Sequence, residues 1–267
     1  MTDGDDLAGS RAETPSILTK AFDLLRAFNA QERVMTLSQL SRASGLPKST
    51  VHRLIARLMD LGAIEQHRNG YRIGLGLLEI SSNTPAGSMR DHAMPFLSAL
   101  HQWSGLTVRL AVLRQFDVVY LEQLERPSST RTLSGVGQRL PAHCTAIGKA
   151  LLAWEDLEDL EAFLPDALSR MTPYSITSPQ DLILELRKVR ADKIAHDHNE
   201  TQMGLACLAA PVIVHDFAVA AVSVSFDPDD RVDSQVEMAL RDTVARIAAG
   251  SRSSLAKGRE HWFPRER

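Results

Sequence analysis

The segment Thr36–Leu58, which reads TLSQLSRASGLPKSTVHRLIARL, decides the fold of the first part of this chain. Thr36 and Gln39 have the spacing of a capping box, which starts a helix. Gly45 can supply the left-handed residue that ends this helix. Pro47 lies near the first position of a second helix, where its fixed φ is favourable. The pattern therefore predicts two short helices joined by a tight turn.

The second of these helices has an apolar face and a basic face. Its apolar residues recur at i, i+3, i+4 and i+7, so they should face a core. Basic and hydroxyl residues lie opposite, an arrangement typical of a helix that enters the DNA major groove. A solvated helical hairpin with scattered charge is the alternative. We predict DNA contacts from Thr36, Ser38, Lys48, Ser49, Thr50, His52, Arg53 and Arg57.

A β-hairpin is predicted directly after the helix pair. Ala63–Arg68 and Tyr71–Ile73 flank Asn69-Gly70, a pair that two-residue type I′ turns prefer. At the tip of such a hairpin, Arg68 and Asn69 could reach the DNA backbone or the minor groove. The hairpin completes the pattern of a winged helix-turn-helix.

The charge of the chain is divided unevenly along its length. Residues 16–75 contain nine Lys or Arg and four Asp or Glu, a net charge of +5, although the whole chain has −3. Residues 1–15 have a net charge of −3 and residues 76–267 of −5. The basic charge thus lies where the DNA-binding motif lies.

Length and composition indicate a globular protein of two domains. The 267 residues are 44% hydrophobic and 24% charged. No apolar run approaches the ~18 residues that cross a membrane, and the start of the chain has no signal-peptide pattern. We therefore expect a cytoplasmic protein with no membrane partner. Two cysteines, Cys144 and Cys207, form no disulfide framework.

The rest of the chain is predicted to form an α+β domain in which helices flank a mainly antiparallel, GAF-like sheet. Strands are expected at Leu106–Val112, Val118–Leu121, Thr130–Ser134, Leu205–Val214 and Phe217–Phe226, with a turn at 115–117. Helices are expected at about 88–103, 145–153, 157–163, 181–194 and 233–255. The predicted organisation is a disordered tail (1–14), a winged helix-turn-helix domain (15–74), a helical linker (75–87), an effector-binding domain (88–256) and a charged tail (257–267).

Three motifs occur in order along the chain. Residues 46–54 read Leu-Pro-Lys-Ser-Thr-x-x-Arg-Leu, residues 137–150 read Gly-x-x-Leu-Pro-x-His-x-x-x-x-Gly-Lys-Ala, and residues 204–212 read Gly-x-x-Cys-x-Ala-Ala-Pro-Val. Together they resemble the IclR family of bacterial transcription regulators over nearly the whole chain. The resemblance implies a regulator without enzyme activity or cofactor. It also implies a homodimer or dimer of dimers, a palindromic operator in double-stranded DNA, and a small organic effector held by the second domain.

The resemblance places the effector beside the sheet, against the helix that follows the second motif. The amides that open this helix favour a carboxylate, and Ser223 and Ser225, two apart on one strand, share a face. Asp197 would then bind a hydroxyl or a proton-bearing group, because a second carboxylate repels an acid. We predict a small organic acid, hydroxylated or aromatic, bound by Leu133, Leu140, Cys144, Thr145, Ala146, Ile147, Asp197, Cys207, Ser223 and Ser225.

The sequence also allows other interpretations of these residues. A thiol-based redox sensor or enzyme could use Cys144, which lies beside His143, or Cys207. Free cysteines more often fill a core, and the two serines could merely satisfy buried backbone. A metal could bind the alternating residues His196, His198 and Glu200, but polar loops of this kind usually bind none, so we predict no metal.

The apolar stripe of the first helix, which more often faces a core, and the apolar residues of the linker are candidates for a dimer contact. One recognition helix reads only a few base pairs, so useful specificity requires two half-sites related by protein symmetry. The candidates are Ile17, Ala21, Leu24, Phe28, Leu77, Leu78 and Ile80.

Overall fold

The computed structural model describes residues 15–28, 32–126, 135–230 and 233–255. These residues form two compact units that divide between Asn83 and Thr84, and each unit has its own buried core. Both predicted tails, the predicted strand Thr130–Ser134 and the pocket candidate Leu133 lie outside the described residues. In the described ranges, no helix is both long and apolar enough for a membrane span.

The first unit has the predicted helix-turn-helix and hairpin. Its elements are α1 (Ile17–Arg26), α2 (Leu37–Ser44), α3 (Lys48–Asp60), β1 (Ile64–His67), β2 (Gly70–Ile73) and α4 (Leu75–Ser81). The capping box is confirmed, since the Thr36 amide donates to Gln39 Oε1 at 2.9 Å and the Gln39 amide donates to Thr36 Oγ1 at 3.4 Å. Gly45 ends α2 with φ of +69°, and Pro47 is the residue before α3.

The hairpin turn lies one residue earlier than predicted. His67 pairs with Gly70, so the two turn residues are Arg68 and Asn69, and the prediction of an Asn69-Gly70 turn is wrong. Arg68 takes φ of +50°. Gly70 belongs to β2 instead.

Packing, and not the turn, explains the glycine at position 70. Met35 and Tyr71 exchange backbone hydrogen bonds of 2.9 and 2.8 Å, which bring the chain before α2 against β2. A Cβ atom on Gly70 would lie 2.9 Å from both the Met35 oxygen and Val34 Cγ1. The glycine therefore permits this close approach.

The second unit is a six-stranded antiparallel sheet with helices on both faces. Its helices are α5 (Pro85–Ser104), α6 (Ala146–Leu152), α7 (Leu157–Phe163), α8 (Pro179–Asp192) and α9 (Ser234–Leu255). Its strands are β3 (Thr107–Arg114), β4 (Asp117–Leu124), β5 (Arg139–Pro141), β6 (Ala195–His198), β7 (Ala206–Val214) and β8 (Phe217–Phe226). The order is β5-β4-β3-β8-β7-β6, so the predicted α+β class is confirmed. Both edge strands, β5 and β6, were missed, and the turn after β3 is Gln115-Phe116.

The two faces of the sheet carry different side chains, because successive residues of a strand point to opposite sides. One face is aliphatic and packs against α5 and α9 through residues such as Val108, Leu208 and Val222. The opposite face lies under α6 and carries several polar or thiol side chains, among them Arg109, Asp197, Cys207, Ser223 and Ser225. The polar face is thus the one that can bind a ligand.

Helix α6 is buried along its whole length, and a glycine allows its position. A Cβ atom on Gly148 would lie 2.2 Å from the Ala142 oxygen and 2.4 Å from the Ala142 Cα. Ala142 opens the short 3-10 helix Ala142–Cys144, which precedes α6. Only glycine lets the two segments pack this closely.

Gly148→Ala is expected to lower the free energy of unfolding by about 1–3 kcal/mol, because the added methyl group overpacks this contact. Gly135→Ala is the control, since its methyl group would meet only the Gln138 side chain, at 3.4 Å. Urea unfolding followed by circular dichroism measures both. Equal effects of the two substitutions would contradict the close-packing explanation.

Candidate nucleic-acid interface and ligand pocket

The outer surface of α3 has the predicted basic character. Its apolar residues Val51, Leu54, Ile55 and Leu58 are buried in the core of the first unit. Nine of the ten residues predicted to contact DNA are exposed, and Thr50 is half-buried. The exposed ones are Thr36, Ser38, Lys48, Ser49, His52, Arg53, Arg57, Arg68 and Asn69.

The arginines near this surface differ in how strongly they are already paired. Arg72 donates to Glu65 through Nε and Nη2 at 3.0 and 2.9 Å. The pKa of Glu65 is lowered, first by the hydrogen bond from the Leu75 amide and then by Arg72. Arg57 lies 3.8 Å from Asp60, and both side chains are highly exposed. Within the described ranges Arg53 has no ion-pair partner, so its charge is available to DNA.

In the second unit, the polar face of the sheet and α6 line a cleft whose empty space, with the open solvent at its mouth included, is about 350 Å³. Seven of the ten predicted effector-binding residues line it: Leu140, Thr145, Ala146, Ile147, Asp197, Cys207 and Ser223. Two others, Cys144 and Ser225, do not line the cleft. Cys144 Sγ donates to the Pro141 carbonyl at 3.4 Å. The Ser225 hydroxyl accepts a hydrogen bond from Arg109 Nη1 and lies 3.1 Å from Cys207 Sγ.

Asp197 anchors the loop that follows β6. Its Oδ1 accepts from the Glu200 amide at 2.7 Å, and its Oδ2 accepts from Thr201 Oγ1 at 2.8 Å. Burial raises the pKa of the carboxyl group, while the hydrogen bonds from Thr201 and Glu200 act in the opposite direction. The loop places Thr201 and Gln202 in the wall of the cleft.

A buried lysine joins this loop to two helices. Lys149 on α6 is only 1% exposed, and its Nζ lies 2.7 Å from Glu200 Oε1 and 3.4 Å from Glu185 Oε1 on α8. Burial raises the pKa of Glu200, and the charge of Lys149 opposes this rise. Because removal of Lys149 would leave Glu200 without its ion-pair partner in a largely buried position, this pair stabilises the loop against α6.

Five residues that line the cleft were missed by sequence reasoning: Arg109, Tyr120, Thr201, Gln202 and Leu205. Arg109 is the most notable, because it is 3% exposed in the middle of β3. Its Nε donates to Gln123 Oε1 at 2.8 Å, and its Nη2 is buried without a partner. The sequence did contain a signal for this residue, because Arg109 is the one charged residue in the predicted strand Leu106–Val112.

The structure does not bring the alternating His196, His198 and Glu200 together as a metal site. The two histidines lie on the exposed side of β6, whereas Glu200 faces Lys149. Across the part of the chain that the structure describes, no three His, Cys, Asp or Glu residues are grouped as metal ligands.

Both cysteines lie in surroundings that oppose ionisation. Cys144 is fully buried and Cys207 is 8% exposed. Burial raises the pKa of each thiol to about 12, and the nearby charge of Asp197 adds to the rise. A reactive cysteine needs the reverse, an exposed site with a lowered pKa. The geometry therefore disfavours the thiol-based alternative.

Comparison with known protein families identifies both units. The IclR helix-turn-helix domain matches residues 17–68, and the C-terminal domain of bacterial IclR transcriptional regulators matches residues 86–250. The chain belongs to the IclR family. It is therefore a DNA-binding transcriptional regulator and not an enzyme.

Relatives cover most of the chain. The Escherichia coli transcriptional regulator XynR is 35% identical over 212 residues, which are 77% of this chain and 84% of XynR. KdgR of Dickeya chrysanthemi is 32% identical over 80% of this chain and 72% of its own. An IclR homologue from Microbacterium hydrocarbonoxydans, solved in complex with 4-hydroxybenzoate, is 26% identical with a TM-score of 0.80. The match covers 89% of this chain and 100% of that one.

Two substitutions in the first unit should separate base recognition from phosphate contact. We expect Arg53→Ala to weaken operator binding in a sequence-dependent way, because a bidentate guanine contact contributes about 1–3 kcal/mol of discrimination. Arg68→Ala should weaken specific and non-specific DNA about equally and reduce the salt slope by about one. Fluorescence anisotropy at several salt concentrations measures both effects. Arg187→Ala, which removes an exposed arginine on α8, is the control. Unchanged operator binding by the Arg53→Ala and Arg68→Ala variants would refute the assignment.

The thiols are expected to resist modification in the folded protein. With a pKa of about 12, about one thiol in a hundred thousand is ionised at pH 7. Iodoacetamide should therefore label Cys144 and Cys207 only after unfolding in urea, whereas a Ser169→Cys control at an exposed position should react at once. Mass spectrometry measures the labelling. Rapid labelling of the folded protein, with loss of DNA binding, would support the thiol-sensor alternative instead.

Proposed function

We propose that this regulator responds to a small organic acid that binds in the cleft of the second unit and changes operator affinity. The observation that carries the proposal is the cleft itself, in which buried polar atoms of Arg109 and Gln202 have no hydrogen-bond partner. Unpaired buried polar groups are costly and uncommon in native proteins. A ligand that pairs with them would remove this cost.

The lining of the cleft supports a ligand with both polar and apolar parts. Leu140, Ile147 and Leu205 provide an apolar wall, and the positive charge of Arg109 favours an anion. The 4-hydroxybenzoate bound by the Microbacterium homologue has this chemistry, an aromatic ring with a carboxylate and a hydroxyl group.

A homodimer on a palindromic operator forms the second part of the proposal. On α1, Ile17, Leu18 and Phe22 are 59%, 70% and 57% exposed, and on α4 Leu78 and Ile80 are also exposed. A run of exposed apolar residues of this kind commonly marks a protein interface.

Not every predicted dimer residue remains available for that interface. Leu24 is fully buried in the core of its own unit, so it is removed from the candidates. Ala21, Phe28 and Leu77 are partly buried against the same core. The proposed contact therefore moves to the exposed residues of α1 and α4.

Ser223→Ala tests the site with a small change. The Ser223 hydroxyl lines the cleft and has no side-chain hydrogen-bond partner among the described residues. Removing it should weaken the effect of the acid on operator binding about three- to tenfold, which corresponds to the free energy of one hydrogen bond. DNA binding without the ligand should stay unchanged. The acid is chosen by a thermal-shift screen, and operator affinity is measured with increasing acid.

Ser169→Ala, an exposed serine outside the cleft, is the control for this experiment. Adding Ser225→Ala to Ser223→Ala should weaken the response further, because Arg109 loses the hydroxyl that holds it. A normal response in the double variant would place the ligand elsewhere.

A further inference from the structure

We propose that Arg109 binds the carboxylate of the effector, and that the effector is a hydroxy acid whose hydroxyl end lies toward Asp197 and Gln202. This inference rests on the proposed function and refines it. The expectation from the sequence was different, because it placed the carboxylate of the effector at the backbone amides of α6. Three features of the cleft support it, namely the missing counter-charge of Arg109, the fixed position of its guanidinium group, and the opposite polarity of the two ends.

The guanidinium group of Arg109 is buried without a counter-charge. Its two hydrogen-bond acceptors, Gln123 Oε1 and the Ser225 hydroxyl, are neutral. Among the described residues, no carboxylate oxygen lies within 4.0 Å of it. A buried charge is strongly unfavourable unless it is paired. The missing partner is therefore an anion that enters from solution.

The same hydrogen bonds fix the position of this arginine. Nε and Nη1 are held by neighbouring side chains, while Nη2 remains unpaired in a residue that lines the cleft. Ser223, the register partner of Arg109 on β8, presents its hydroxyl to the same cleft. A carboxylate that enters here can accept from a guanidinium N–H and from a hydroxyl that the sheet already holds in place, which lowers the entropic cost of binding.

The other end of the cleft has the opposite polarity. Arg109 lies on β3 and Asp197 on β6, with β8 and β7 between them, so their two strands are about 14 Å apart across the sheet. The charge of Asp197 disfavours a second carboxylate there. Gln202 Oε1 is a buried acceptor without a partner, and it requires a donor. A hydroxyl group meets both conditions, because it can donate and carries no charge.

The amides of α6 are the competing site for the carboxylate. This helix has only seven residues, and a helix terminus offers about half a unit charge at most. A guanidinium group offers a full charge in a charge-assisted hydrogen bond, which is roughly twice as strong as a neutral one. We therefore assign the carboxylate to Arg109, and leave the amides of Ala146 and Ile147 for a neutral oxygen of the ligand.

The test compares acids with their uncharged amides. The probes are 4-hydroxybenzoate, benzoate, lactate and gluconate, each paired with the corresponding amide, and binding to the full-length protein is measured by calorimetry. Wild type should prefer its best acid over the matching amide by at least about tenfold. Arg109→Gln should bring this ratio close to one. Arg114→Gln, an exposed arginine at the end of the same strand, is the matched control and should keep the preference.

The possible results separate this inference from the proposed function. If no probe acid binds wild type, the proposed organic-acid response is overturned. If an acid binds and Arg109→Gln keeps the acid preference, or weakens acid and amide equally, Arg109 does not bind the carboxylate although the proposed function stands. A benzoate affinity equal to that of 4-hydroxybenzoate in wild type would overturn the assignment of the hydroxyl end when these aromatic acids bind.

A second measurement needs no variant, so it holds even where Arg109→Gln fails to fold. The wild-type protein is crystallised with the acid of the panel that binds best. If the best acid is aromatic, 3-bromo-4-hydroxybenzoate is used instead, because anomalous scattering from its bromine locates the hydroxyl end of the ligand. The carboxylate should lie within hydrogen-bond distance of Arg109 Nη2, with the hydroxyl toward Asp197. The reverse orientation, or a carboxylate on the α6 amides, would overturn the inference.

Discussion

The burial of Lys149 against Glu200 is the interaction on which the second unit depends. A lysine that is 1% exposed requires a partner, and the nearer of its two carboxylates, Glu200, comes from the loop after β6 and brings that loop against α6. The same fold lets Asp197 accept from the Glu200 amide and from Thr201. The Thr201 hydroxyl oxygen also lies 2.5 Å from the Cys144 carbonyl oxygen, so the loop packs against the turn before α6. The wall of the cleft thus follows from one charge pair.

The cleft exists because the sheet has two unlike faces. Its aliphatic face is filled by α5 and α9, whereas the face under α6 mixes apolar residues with a row of polar ones. Helices cover that face, so the polar side chains are removed from water and must find partners inside. Most do, but Arg109 on the sheet keeps an unpaired atom, as do Glu200 and Gln202 on the loop after β6. The effector that we propose would pair with the atoms of Arg109 and Gln202.

In the first unit, backbone contacts at glycines fix how the motif is assembled. Gly70 permits the chain before α2 to pair with the hairpin, and Gly74 lies so close to Gly62 that a Cβ atom would be 2.2 Å from the Gly62 oxygen. These contacts position the hairpin beside α3, whose basic face stays exposed. A rigid frame of this kind lets a short helix present several side chains to DNA in a defined orientation.

The sequence by itself determined the elements that local signals specify: the capping box, the glycine turn, the apolar stripe of α3, the two long strands β7 and β8, and the motifs of the family. These signals act within a few residues, so they can be read without a structure. Tertiary structure alone decided the turn at Arg68-Asn69, the burial of Leu24, the edge strands β5 and β6, and the place of Ser225. It also revealed Arg109, whose hydrogen-bond partner Ser225 is 116 residues away. Whether a buried charge has a partner depends on what the fold brings beside it, and no local pattern records that.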